Sequence, residues 1–80
     1  MNLNTLTDLI IEKFQSSLRI QLIEQINFII RQGSTGGEIA AGMGRFLLDL
    51  EKENPEAFKE IEDFIHAYIN ECAKYDLFFE

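Results

Sequence analysis

Apolar residues recur along this chain at helical spacing, and the stripes are interrupted where Ser, Gly, Asn or Pro collect. A cap at Asn4 or Thr5, with Asp8 three residues beyond Thr5 in capping-box position, introduces a first stripe of Leu6, Leu9, Ile10 and Phe14. After Ser16-Ser17 the stripe resumes at Leu18, Leu22, Ile23, Ile26, Ile29 and Ile30, but on one straight helix it would have moved to another face. A break or kink at the serine pair is therefore expected, with a single fused helix as the alternative. Ile20 and Phe28 fall toward the polar side of this second segment, which predicts a central helix buried on more than one face. The alternation Leu18-Arg19-Ile20-Gln21-Leu22 admits a short strand, yet the spacing of Ile26, Ile29 and Ile30 argues against one.

Gln32-Gly33-Ser34-Thr35-Gly36-Gly37-Glu38 reads as the central reversal. Gly33 suits the left-handed conformation after a helix end, and Thr35 with Glu38 makes a capping box for the next helix. There Ile39, Met43, Phe46, Leu47 and Leu50 share a stripe, with Ala41 and Leu48 on the far side. Asn54 then caps and Pro55 opens the last helix, at a position where a missing amide hydrogen costs nothing. Its stripe runs Phe58, Ile61, Phe64, Ile65, Tyr68, Ile69, Cys72 and Tyr75, with Glu56-Lys59 and Lys59-Asp63 as helix-neighbour ion pairs. The expected fold is an all-α bundle of four helices, roughly 4–15, 17–32, 36–52 and 55–75, forming one domain over residues 1–80.

Charge changes this picture from a fold into a surface. The net charge is −7, and residues 1–48 balance four acids against four bases, so the whole excess lies in residues 49–80, with ten acids against three lysines. Such a field repels nucleic acid and anionic membrane and attracts a basic protein. The acidic run of Asp49, Glu51, Glu53 and Glu56, continued by Glu60 and Asp63, is the candidate partner-binding face; a merely solubilising surface is the plainer alternative. One cysteine, no leader-like amino terminus and no apolar run of membrane-spanning length point to a soluble cytoplasmic protein.

Catalytic, cofactor and metal sites are not expected. Ser34-Thr35-Gly36-Gly37 lies at a helix start, where amides can meet an anion, but it lacks the lysine of a phosphate loop and the strand of a dinucleotide fold. His66 reads as a solvated helical histidine and Cys72 as a buried thiol; together they are too few ligands for zinc. Gly42 and Gly44 each cost roughly 1 kcal/mol inside a helix relative to alanine, so close packing is expected there. The packing is either with another helix of the chain or, with Gly37, Ala41 and Arg45, in a contact with a partner or a second copy. Phe78 and Phe79 either fold back on the core or serve as an anchor for a partner or second copy.

In length, acidity and helical character the chain resembles small bacterial immunity proteins and antitoxins that neutralise basic toxins, a likeness of type carried by no motif. The resemblance implies a non-enzymatic inhibitor that occludes a basic protein. A structural or regulatory homo-oligomer built on Gly42, Gly44 and Phe78-Phe79 is the alternative. An acyl-carrier-like domain is a third reading, but Gly33-Ser34-Thr35 stands where that family needs an Asp-Ser-Leu attachment site.

Overall fold

In the computed structural model, which describes residues 1–79, Asn2 opens the first helix: its Oδ1 accepts the amide of Thr5 at 2.8 Å. The cap therefore lies ahead of the expected Asn4 or Thr5, because a short polar side chain at Asn2 already reaches the free amides of the first turn. Helix α1 (Leu3–Ser16) is followed by Leu18 in the left-handed conformation, with φ 59. There the Arg19 amide donates to the carbonyl of Phe14 at 2.8 Å and the Leu18 amide to that of Gln15 at 3.2 Å, the two hydrogen bonds of a Schellman ending. The break expected at the serine pair is present, and α2 (Ile20–Gln32) is a separate helix.

Gly33 does not take the left-handed conformation expected of it; its φ is −76 and ψ 128. Proximity explains the glycine instead, since a Cβ there would come within 2.5 Å of the Ile39 side chain and 3.1 Å of its backbone nitrogen. Helix α3 (Gly36–Glu53) starts on the predicted cap, with the Glu38 amide donating to Thr35 Oγ1 at 3.1 Å, while Ser34 donates its hydroxyl to the Glu38 carboxylate at 2.9 Å. At the other end Asn54 Oδ1 accepts from the Ala57 amide at 3.2 Å, and Pro55 begins α4 (Pro55–Glu60).

The last helix is not continuous. Ile61, with φ −125 and ψ 17, divides α4 from α5 (Glu62–Ala73) and is itself buried. The apolar stripe runs straight through this kink, which is why periodicity does not reveal it. Lys59 and Asp63 consequently sit on different helices, and neither they nor Glu56 and Lys59 form a close pair among the described residues. A second Schellman ending follows α5: Asp76 is left-handed with φ 59, and the Leu77 amide donates to Cys72 at 3.1 Å. Tyr75, expected on the apolar stripe, lies beyond the helix and is exposed.

The helices form a closed ring in which α1 packs on α2, α2 on α3, α3 on α5 and α5 on α1, with short α4 against α3. Ile10, Phe14, Ile26, Met43, Leu47, Ile65 and Tyr68 fill the centre, each fully buried. Burial of each such side chain contributes about 1.5–3 kcal/mol, the dominant favourable term in a chain this small. No strand occurs among the described residues, and the fold is the small all-α bundle expected. The central helix is α3, which touches α2, α4 and α5. The expectation that the second segment would be central is overturned: α2 packs mainly on α1 and α3, leaving Ile20 at 54% and Phe28 at 55% exposure.

Candidate functional site

Asn54 is the hinge of the acidic corner, because it both ends α3 and caps α4 and so turns the chain between two short runs of acids. Asp49, Glu51 and Glu53 on the last turns of α3 are exposed, as are Glu56 on α4 and Asp63 on α5. Glu56 stands in the first turn of α4, and Glu62 and Asp63 in that of α5. Acids there are favoured by the helix dipoles, while Asp49, Glu51 and Glu53 at the far end of α3 gain no such help. Helix geometry thus fixes some of the acids in place for local reasons and leaves the α3 group without a structural one.

Glu60 departs from the group. Arg19, the residue that precedes α2, donates Nη2 to Glu60 Oε2 at 2.6 Å and Nε to the same oxygen at 3.2 Å. The guanidinium, and secondarily the Ser17 hydroxyl, hold the Glu60 carboxyl below its ordinary range. This contact ties the neutral arm to the acidic one across the α1–α2 break, so Glu60 is a structural acid within the corner. Periodicity does not foresee it, since the two residues lie 41 positions apart.

Gly42 and Gly44 face different neighbours. A Cβ at Gly42 would approach Ile29 Cγ2 to 2.8 Å, and one at Gly44 would overlap the ring of Phe79. Both glycines are thus filled from within the chain: α2 presses on the first and the carboxy-terminal tail on the second. Arg45 is exposed, with its guanidinium 6.0 Å from the centre of the same Phe79 ring, within range of a cation–π contact. Phe79 folds back and is half-buried, whereas Phe78 points out at 70% exposure. The two adjacent aromatics, expected to act together, are separated by their opposite directions.

A cleft of about 550 Å³ opens where the chain start, the start of α3 and the end of α5 meet, lined by Asn2, Thr7, Gly37, Tyr68, Cys72 and Tyr75 among others. The reversal at Gly33–Gly37 contributes Gly36 and Gly37 to its rim, and open space surrounds Gly36. Burial pushes the Tyr68 hydroxyl up to about 12, partly offset by the nearby Thr7 side chain, and burial likewise pushes up the Cys72 thiol. Both groups are therefore protonated at neutral pH, and neither is an activated nucleophile. His66 lies outside this cleft, with Nε2 3.9 Å from Glu62 and its side chain 66% exposed. Among the described residues no group of three or more His, Cys, Asp and Glu could hold a metal ion, and no helix is long and apolar enough to cross a membrane. Comparison with protein-family models, curated proteins and solved structures finds no match to this chain, so its own surfaces carry the functional reading.

Proposed function

We propose that this chain is a non-enzymatic binding protein that holds a basic protein on the corner between α3 and α4, as a small inhibitor or immunity-type protein does. One observation supports this most: Asp49, Glu51, Glu53 and Glu56 flank the Asn54 turn and Asp63 stands at the start of the next helix, all of them exposed, in a half of the chain with ten acids against three lysines. Neighbouring like charges raise the energy of the free protein, and a cationic surface relieves that repulsion while steering the encounter. The mechanism is occlusion of the partner's working surface, with no covalent step. Nucleic acid and anionic lipid are disfavoured by the same field. A reducing cytoplasm belongs to this reading and suits the single buried thiol of Cys72. Glu60 is excluded from the docking set, because Arg19 already holds it.

The test uses the natural chain and a variant carrying Asp49→Lys, Glu51→Lys, Glu53→Lys and Glu56→Lys as parallel baits in lysate of the source cells. A protein retained by the natural chain is then purified and its association rate with each of the two chains measured at low and high salt. The expected partner is basic, and association slows about tenfold or more as salt screens the encounter. An acidic partner, or one that binds the reversed chain at the same rate, rules the reading out.

A further inference from the structure

We infer that a second copy of this chain docks on the outer face of α2, antiparallel and across a twofold axis close to Phe28. The starting observation is that α2 lies at the rim of the ring with Ile20 and Phe28 more than half exposed. Beside them a shallow depression is lined by Gln21, Glu24, Gln25, Phe28, Ile29 and Phe46. Aromatic and uncharged polar side chains set around a few ions are the composition of an interface centre and its rim. Like the rest of residues 1–48, this face has no charge excess, so two copies can meet there without opposing the acidic half.

The ions commit the occupant to a second copy. Glu24 and Arg31 are the only charged residues of α2, they are opposite in sign, and both are exposed. Neither forms an ion pair among the described residues. Seven residues of helix separate them by about 10.5 Å, too far to pair with one another along one helix. At about 100° per residue, Glu24, Asn27, Phe28 and Arg31 fall on the same face. Reversing a second α2 against the first about a point between Asn27 and Phe28 sets Glu24 against the partner's Arg31. The twofold repeats that pair and brings the two Phe28 rings side by side. A like-oriented helix would instead place Glu24 beside Glu24 and Arg31 beside Arg31. The surface is thus complementary to itself in one orientation only.

Helix α2 is 13 residues long, about 20 Å, so the contact is at the small end for specific interfaces, and association in the micromolar range is the expected outcome. Sedimentation equilibrium of the full chain from about 5 to about 500 µM should show a mass rising from 9.3 kDa toward twice that value. Phe28→Ser should weaken association at least about tenfold, and so should Glu24→Arg or Arg31→Glu alone. Glu24→Arg combined with Arg31→Glu should restore it, because the swapped pair meets again across the axis. All of these positions are exposed, and helical circular dichroism with the melting temperature confirms that each variant folds. A natural chain that stays monomeric at the highest concentration overturns the proposal. So does a dimer indifferent to Phe28→Ser, or a double charge swap no better than either single change.

Discussion

The ring of Phe79 lies on the backbone of Gly44, so closely that a Cβ at position 44 would occupy the space of ring atoms. A glycine inside a helix is normally a loss, and here it admits the last aromatic of the described chain onto the central helix. Arg45, one residue on, places its guanidinium 6.0 Å from the same ring. The left-handed turn at Asp76 sends the tail in this direction after α5 ends. Tail and central helix are thus one packing unit.

Gly44→Ala should therefore be destabilising only while Phe79 is present. Displacing a half-buried aromatic loses about 1–2 kcal/mol, against a gain of up to about 1 kcal/mol from replacing a helical glycine. A net loss of about 1 kcal/mol is expected in the natural chain. In a Phe79→Ala background the same change should be stabilising by about 0.5–1 kcal/mol. Urea unfolding of the four members of this cycle measures the coupling, and a Gly44→Ala effect of the same sign in both backgrounds contradicts the contact.

What could be read from the sequence divides by the range of the interaction. The caps at Thr35 and Asn54 are local, each a side chain reaching an amide three residues on, and their chemistry is visible in four letters of sequence. The cost of Gly44 is also local, so close packing could be anticipated, but the occupant is distant in sequence and no spacing rule reaches it. The kink at Ile61 was hidden for the opposite reason: both halves of the stripe stay in register, so a straight helix and a broken one predict the same buried residues. Glu60 shows the limit for the acidic face. Its composition is plain in the sequence, but which acid is already held depends on Arg19 arriving from the end of the other arm. The amphipathic pattern of α2 likewise shows too many apolar positions for one face without saying whether this chain covers them.

Leu18 carries a separate expectation. It is left-handed with φ 59 and 79% exposed, so its side chain bears the steric penalty of that conformation while burying little. The penalty is about 1–2 kcal/mol for a residue with a Cβ. Leu18→Gly should raise stability by about 1 kcal/mol, less what the freer unfolded chain gives back. Leu18→Asn should give part of the gain. The urea midpoint should rise with an unchanged slope, since no surface exposed on unfolding changes appreciably. A lowered midpoint in both variants would show that the Schellman ending after α1 is not what holds the chain at this position.

The pH profile of stability should fall at both ends, for different reasons. Arg19, followed by Ser17, lowers the Glu60 carboxyl from its ordinary value of 4.5, so the unfolded chain takes up a proton at Glu60 before the folded one does. The stabilisation is therefore complete above that ordinary value and is lost as pH falls through the lower folded value. At the alkaline end burial raises Tyr68 from 10.0 to about 12, so the unfolded chain releases its proton first and stability declines as pH rises across that window. Urea midpoints across pH, in the natural chain, Arg19→Met and Tyr68→Phe, separate the two effects. Arg19→Met should be less stable at neutral pH and should flatten the acid limb by the share Glu60 contributes. Tyr68→Phe should leave the acid limb alone and reduce the alkaline decline between pH 10.0 and about 12, the remainder coming from the Cys72 thiol, which burial also raises. In the natural chain, tyrosinate absorbance should show a late-ionising group that is missing from Tyr68→Phe. An acid limb unchanged by Arg19→Met would mean that the 2.6 Å contact between Arg19 and Glu60 does not persist in solution.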